Sequence, residues 1–203
     1  ITNSTKSKKS LDKIIMKKKT KLIFNPYLKR VGKNRKNSKK KHLLSVGRLC
    51  KQKNQEIIIR AFSIFLRKYP NYKLILIGHG PDEKKLINFC KKLNIQKNVI
   101  FKGWINNPKN FYLNSKVLLF PSLYEGLPNT LIDATNYNLP CISSRCSGAE
   151  DILTKKFGLF TPHDDPKFLA KKIEFVIKNY RNVNFNVLNI KKKLNRFLIQ
   201  PQT

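Results

Sequence analysis

The sequence predicts an α/β domain in which a parallel sheet is covered by helices on both faces. From Leu43 onwards, short apolar segments alternate with amphipathic segments, as in successive strand–helix–strand units. Two of the apolar segments, LILI and VLLF, are apolar at every position, which is typical of strands buried on both faces. Parallel strands need crossover connections, so the amphipathic segments are expected to be right-handed crossover helices. The pattern therefore predicts a Rossmann-like sheet with flanking helices.

Six segments are predicted to be strands. They are residues 43–46, 73–78, 98–103, 117–122, 140–143 and 157–160, each short, apolar and bounded by turn residues. The helices between them are predicted from apolar residues at helical spacing and from helix-start signals. They are residues 55–68, a helix beginning at residues 81–83, residues 129–136, a short turn opened by Gly148, and residues 166–178. No helix is predicted between residues 103 and 117.

The chain is strongly basic, with 43 Lys and Arg against 11 Asp and Glu and a formal net charge of +32. Such a charge favours an anionic partner: nucleic acid, a membrane surface or a phosphorylated ligand. Residues 1–42 hold sixteen of the cations against a single acid, Asp12. Within them, residues 33–41 are expected to be a solvated basic linker, with a nucleic-acid-binding tail as the alternative. Abundant Lys, Asn and Ile throughout the chain also fit A+T-rich codons, which select no partner.

Composition excludes several classes of protein. A hydrophobic content of 40% excludes a wholly disordered chain, and no run of eighteen apolar residues predicts a transmembrane helix. The chain starts without Met or an apolar signal core, so we expect a fragment or a processed chain, in the cytoplasm. The cysteines and histidines match no disulfide or metal spacing, and the cysteines are expected to be reduced interior residues. They are Cys50, Cys90, Cys141, Cys146, His42, His79 and His163.

The loop after the first predicted strand is suited to an anion. It runs over residues 47–54 and contains two cations, Arg48 and Lys53, just before a helix. Ligands of open α/β sheets bind beyond the carboxyl ends of the strands, and a helix N-terminus adds partial positive charge there. A phosphate is therefore the expected ligand. The alternative is that both residues are ordinary surface cations of a basic chain.

The loop after the fourth predicted strand carries two carboxylates of interest. Glu125 lies at the carboxyl end of that strand, and Asp133 lies about one turn inside the following helix. Ionised carboxylates accept hydrogen bonds, so a pair facing one crevice suits a hydroxyl-rich ligand. A helix-capping acid and a solvated acid are the alternative. Most other acids lie where helices begin and are assigned only to the helix dipoles: Glu56, Asp82, Glu83, Glu150, Asp151, Asp164 and Asp165.

Six sequence blocks together resemble a known family. GRLCKQKN, LILIGHGP, VIFKGW, FPSLYEGLPNTLIDA, PCISSRCSGAEDIL and GLFTPHDDP occur in this order between Leu43 and Lys178. They resemble the C-terminal, donor-binding half of the retaining GT-B glycosyltransferases, in the group 1 (GT4) family. The EGLPN loop is common among family members that assemble surface polysaccharides and lipid-linked oligosaccharides. The resemblance implies half of a GT-B fold.

The resemblance also implies roles for individual residues. Arg48 and Lys53 match the cations that neutralise the donor diphosphate, and Glu125 matches the first carboxylate of E-x7-E, which holds the transferred sugar; these three are the predicted catalytic residues. Asp133 matches the second carboxylate, on the ribose, although the family has Glu there and Asp is one methylene shorter. The remaining predicted donor-binding residues are Gly47 in the cation loop, the backbone amides of Asn129, Thr130 and Leu131 facing the phosphates, and Gly103, Trp104 and Ile105 around the base.

The implied activity is transfer of a sugar, a hexose or an N-acetylhexosamine, from a nucleotide diphosphate sugar to a glycan or lipid-linked acceptor. No metal or other cofactor is expected, because the cations can replace one. Residues 1–42 are expected to be a remnant of the N-terminal domain with a linker. They would include a helix over 5–20 and a strand over 21–28.

Residues 43–180 are expected to be the nucleotide-sugar-binding domain, and residues 181–203 a helical extension with a final helix over 184–199. The acceptor domain would then be missing, leaving the enzyme incomplete. The expected partners also include the inner face of an anionic membrane, contacted peripherally. No specific nucleic acid is expected to bind. A basic nucleic-acid-binding α/β protein without activity is the alternative function.

Overall fold

The computed structural model describes residues 5–14, 41–153, 159–181 and 183. Six strands run over β1 His42–Val46, β2 Lys73–Ile77, β3 Val99–Phe101, β4 Val117–Phe120, β5 Cys141–Ser143 and β6 Leu159–Phe160. Seven helices run over α1 Thr5–Ile14, α2 Gln55–Leu66, α3 Glu83–Lys92, α4 Lys109–Asn114, α5 Asn129–Asn136, α6 Ser147–Ile152 and α7 Pro166–Lys178, with a 3₁₀ turn at Lys51–Lys53.

The six strands form one sheet in the order β3-β2-β1-β4-β5-β6, and every neighbouring pair is parallel. The predicted Rossmann-like parallel sheet is confirmed. From β1 the chain adds β2 and β3 on one side of the sheet, and from β4 it adds β5 and β6 on the other side. The two strands therefore meet at a switch point, where adjacent loops diverge and leave a crevice. This topology places the loops after β1 and β4 side by side.

Each central strand buries alternate side chains on opposite faces of the sheet. Leu43 of β1 packs in the core beneath α2, α3 and α7, and Leu44 packs in the core beneath α5 and α6. The continuous apolar runs therefore reflect two cores, one on each face. Cys90, Cys141 and Cys146 are buried thiols outside any disulfide, as predicted, whereas the thiol of Cys50 is only half-buried.

The predicted strands and helices are confirmed, with ends that differ by one or two residues for most of them. Asp165, predicted to lie at a helix start, caps α7 by accepting a 2.8 Å hydrogen bond from the Phe168 amide. Helix α4 was not predicted, because six residues after Pro108 are too few to show a helical period.

The N-terminal helix predicted over residues 5–20 is helical over Thr5–Ile14, where it packs against α6. The strand predicted over residues 21–28, the linker up to residue 40 and the final helix over 184–199 lie outside the described residues. The domain boundaries at residues 42 and 180 stay predictions. Among the described residues, no helix is long and apolar enough to cross a bilayer.

Candidate functional site

Lys53 and Glu125 meet across the switch point between β1 and β4. The Lys53 Nζ donates to Glu125 Oε1 at 2.5 Å, and the two side chains are only 20% and 11% exposed. The ammonium also lies 5.2 Å from the centre of the Phe120 ring. Two side chains predicted to bind different parts of one ligand, a phosphate and a sugar, therefore lie at the same point of the sheet edge.

The two loops that carry this pair are fastened to each other. Gln52 donates through Nε2 to the Tyr124 carbonyl oxygen at 2.9 Å, and its own carbonyl oxygen accepts from the Leu123 amide at 2.8 Å. Asn54 donates to the Pro121 carbonyl oxygen at 3.3 Å. Because these bonds flank both residues of the ion pair, the positions of Lys53 and Glu125 are fixed before any ligand binds.

Arg48 lies in the same loop and is exposed. Its carbonyl oxygen accepts from Gln55 Nε2 at 2.8 Å, which ties its backbone to the start of α2. Within the part of the chain that the structure describes, no acid forms an ion pair with its guanidinium. Arg48 is thus a charged group at the sheet edge that an anion can reach. Lys53 is already paired with Glu125, so it must bind an anion together with that carboxylate or in place of it.

Backbone contact between the loops after β1 and β2 explains two glycines. A Cβ on Gly78, whose φ is +132°, would lie 2.1 Å from the Gly47 carbonyl oxygen. Gly47 itself has a φ of +151°, and the aliphatic part of Lys53 lies across it. Gly47 therefore serves the predicted site as the surface over which Lys53 reaches Glu125.

The N-terminus of α5 is pinned to β1 and α4. The Thr130 hydroxyl donates to the Val46 carbonyl oxygen at 3.5 Å and is hydrogen-bonded to the buried Tyr112 hydroxyl. The Leu131 amide donates to the Pro128 carbonyl oxygen at 3.0 Å, and its predicted contact with a phosphate stays a prediction. The amides of Asn129 and Thr130, the first two of the helix, are the donors left for an anion.

Asp133 lies one turn inside α5 and is partly covered. Burial raises the pKa of its carboxyl from 3.8 to about 6. The raised pKa of the nearby Tyr137 has the same main cause, burial, with the charge of Asp133 adding to it. Burial therefore makes the ionised form of the Asp133 carboxyl costly in the folded protein.

The loop after β3 contains the three residues predicted to surround a base. Gly103 adopts a φ of +63°, and its carbonyl oxygen accepts from the Gly78 amide at 2.8 Å. The Trp104 indole is 73% exposed, and its Nε1 donates to Asn106 Oδ1 at 2.6 Å. Ile105 is half-buried against the core beneath α5. An exposed indole at the carboxyl edge of the sheet offers a flat face to a planar ligand.

Sequence reasoning missed two parts of this edge. Glu83, assigned only to a helix dipole, also contacts His79, and the spacing of four residues was the available signal. Gly148 lies under Gly126, one residue from Glu125, a contact that no local pattern reveals. The part of the chain that the structure describes has no cluster of three metal-ligating side chains.

A cleft of about 540 Å³ opens beside the β1–α2 loop, between the starts of α2, α3 and α7. Its charged lining mixes cations with acids: Lys51, Arg60, Lys85, Glu56, Asp82 and Asp164. None of the predicted site residues lines it. The predicted site is therefore an open edge of the sheet, distinct from this cleft.

The charge of Asp133 makes stability depend on pH. A raised acid pKa means that the folded state holds the proton more tightly, so stability falls as pH rises from 3.8 to about 6 and stays lower above that. Asp133→Asn is expected to unfold like the wild type below pH 3.8 and to be about 1–2 kcal/mol more stable at pH 7. Urea unfolding across this range measures both. The exposed Asp164→Asn serves as control, and a gain for Asp133→Asn that does not vary with pH contradicts the assignment.

Strand order and edge loops define a doubly wound α/β domain with a β1/β4 switch point, the place where sheets of this kind bind ligands. Comparison with known proteins agrees: the profile of the family described as "Glycosyl transferases group 1" matches residues 29–194. The chain belongs to the group 1 glycosyltransferase family, as the sequence blocks predicted.

Individual relatives match parts of the chain. An uncharacterised glycosyltransferase of Methanocaldococcus jannaschii is 42% identical over 126 residues, which are 62% of this chain and 31% of the relative. A Campylobacter jejuni α-1,4-N-acetyl-D-galactosaminyltransferase, whose substrate name contains PP-undecaprenol, is 32% identical over 90% of this chain and 52% of its own length. The chain spans between 31% and 52% of the curated relatives that it matches.

Solved structures share the fold. Anabaena HepE in complex with UDP superposes with a TM-score of 0.85 at 19% identity, over 97% of this chain and 59% of that one. The C-terminal domain of a group 1 glycosyltransferase from Francisella tularensis superposes with a TM-score of 0.69 at 22% identity, over 80% of this chain and 89% of that domain. The sheet is thus one half of a GT-B fold.

Proposed function

We propose that this chain is the donor-binding half of a retaining glycosyltransferase, and that the switch point between β1 and β4 binds a nucleotide diphosphate sugar. The observation that carries the proposal is the Lys53–Glu125 pair, which places a cation and a carboxylate together at the edge where such sheets bind ligands. The domain boundaries at residues 42 and 180 belong to the same proposal.

The cations act on the leaving group. As the glycosidic bond breaks, negative charge develops on the departing phosphate, and preorganised positive groups stabilise it. Arg48 is free to approach an anion, Lys53 lies at the crevice, and the Asn129 and Thr130 amides begin α5. These groups supply the positive charge, and we propose that transfer needs no metal.

Glu125 binds the sugar and Asp133 binds the ribose. An ionised carboxylate accepts hydrogen bonds from hydroxyls, and Glu125 is nearest to the cation that holds the phosphate. Asp133 is held half-buried one turn further along α5. A ribose hydroxyl that donates to it would compensate for the burial that raises its pKa. The exposed Trp104 indole is the stacking face for the base.

The nature of donor and acceptor is proposed from the relatives. The two Campylobacter jejuni relatives are named as N-acetylgalactosaminyltransferases that act on diphospho-undecaprenol-linked glycans, and an Escherichia coli relative is named as a UDP-Gal:α-D-GlcNAc-diphosphoundecaprenol galactosyltransferase. HepE has been solved with UDP and glucose. We therefore propose a UDP-hexose or UDP-N-acetylhexosamine donor and a glycan or lipid-linked acceptor. The acceptor domain would be supplied by sequence beyond this chain.

We propose a cytoplasmic location with reversible, peripheral contact at an anionic membrane, a contact that the basic charge of residues 1–42 supports. Each Lys or Arg near an anionic surface contributes about 1 kcal/mol, an attraction that salt screens. The same charge is not expected to select a nucleic acid.

The proposal is tested by two alanine variants against two ligands, UDP and the best-bound of a set of UDP-sugars. Glu125→Ala is expected to weaken the UDP-sugar but not UDP, because UDP has no sugar to hold. Asp133→Ala is expected to weaken both ligands by about 1–3 kcal/mol, since both carry the ribose. The measurement is isothermal calorimetry, with Glu150→Ala, outside the predicted site, as control. If Glu125→Ala weakens UDP as much as Asp133→Ala does, the assigned roles are wrong.

A further inference from the structure

The imidazole of His79 lies between Glu83 and Gly103. His79 Nδ1 and Glu83 Oε2 are hydrogen-bonded at 3.0 Å, which orients the ring from the first turn of α3. On its other side, a Cβ built on Gly103 would lie 2.9 Å from His79 Cε1 and 3.0 Å from Nε2. The ring therefore occupies the space that any side chain at position 103 would need.

This contact bears on the turn that presents Trp104. The Gly103 carbonyl oxygen accepts from the Gly78 amide at 2.8 Å, so the end of β2 holds the turn on one side. The His79 ring lies where a Cβ on Gly103 would be. The indole of Trp104 follows directly and bonds only to nearby Asn106 among the described hydrogen bonds. The position of the indole therefore depends on the Gly103 turn and on the bond to Asn106.

The arrangement contributes little to holding the fold together. The His79 side chain is 64% exposed and belongs to neither of the two apolar cores. Exposed polar pairs of this kind have little effect on stability. Their position at the carboxyl edge of the sheet, beside the predicted base site, indicates a role in ligand binding.

The geometry points to His79 as a positioning residue for the donor's base: its ring, oriented by Glu83, holds the Gly103 turn so that the Trp104 indole can stack on the base. This assignment rests on the proposed function. His79 acts through the turn and does not itself contact the reacting atoms. Nucleotide binding should then depend on His79 only through the base.

The test compares UDP, which has a base, with inorganic pyrophosphate, which has none. His79→Ala is expected to weaken UDP about fivefold or more in calorimetry and to leave pyrophosphate unchanged. Glu83→Gln, which keeps an acceptor but removes the charge, is expected to weaken UDP less. His163→Ala, an exposed histidine in the loop before α7, is the matched control and is expected to change neither ligand.

A second readout needs no ligand. Trp104 is the single tryptophan, so its fluorescence reports this turn alone. His79→Ala is expected to alter acrylamide quenching of that fluorescence, with unfolding unchanged. The assignment of His79 alone is overturned, given a wild type that binds both ligands, in either of two cases. In one, His79→Ala weakens UDP and pyrophosphate equally; in the other, His79→Ala leaves the affinity for UDP unchanged. A wild type that binds neither overturns the proposed function together with it.

Discussion

Lys53→Ala is expected to lower the affinity for UDP by about tenfold to a hundredfold, equivalent to 1.5–3 kcal/mol for a charge-assisted contact to phosphate. The loss has a second source. Glu125 is 11% exposed, and without Lys53 its carboxylate faces the incoming diphosphate uncompensated. Arg48→Ala removes a cation but leaves every acid with its partner, so we expect a loss of UDP affinity near the lower end of this range, about tenfold. Isothermal calorimetry measures the affinity for UDP of the wild type and of both variants.

The matched control for Lys53→Ala is Lys51→Ala. Lys51 lies in the same 3₁₀ turn, is exposed, and lines the cleft between the starts of α2, α3 and α7, which none of the predicted site residues lines. It is expected to change UDP affinity by less than about twofold, since it alters only the diffuse field of the chain. Equal losses from Lys51→Ala and Lys53→Ala would mean that the anion is bound by overall charge and not by this site.

Gly148→Ala is expected to destabilise the protein by about 1–3 kcal/mol and to displace the loop that carries Glu125. A Cβ at position 148 would lie 1.8 Å from the Gly126 carbonyl oxygen and 2.7 Å from the Leu127 Cα. These are backbone atoms, which cannot rotate away as a flexible side chain can. The β4–α5 loop must therefore shift, and Glu125 must shift with it.

Urea unfolding gives the loss of stability for Gly148→Ala, and calorimetry with a UDP-sugar gives the loss of binding. Glu150→Ala, in the same helix, removes only an exposed pair with Arg145 and is expected to cost less than about 0.5 kcal/mol. If Gly148→Ala keeps wild-type stability, the close contact of α6 with the β4–α5 loop is wrong.

Most of the sheet was predictable because each of its strands is a short apolar run bounded by turns. The switch point follows from parallel strands and right-handed crossovers, and the sequence blocks predicted the loops that meet there. Lys53 and Glu125 were consequently predicted for one site although 72 positions separate them. Local patterns and the family resemblance together were sufficient to predict the sheet and the meeting of these two side chains.

The missed features depend on contacts between distant segments. Helix α4 is too short to show a period. The position of Glu83 at the start of α3 explained that acid without reference to His79, and the contact between the His79 ring and Gly103 joins segments that are distant in the sequence. The hydrogen bond of the Leu131 amide depends on how the chain turns at Pro128, which sequence spacing does not specify.

The most direct test of the central claim is an amide-resolved NMR titration of the chain with UDP. The account predicts the largest shifts at the amides of Gly47, Arg48, Lys53, Asn129 and Thr130 and at the indole N–H of Trp104, all saturating together and persisting at moderate salt. Shifts that are spread over exposed lysines such as Lys84, Lys91 and Lys92 of α3, and that vanish as salt is raised, would contradict it.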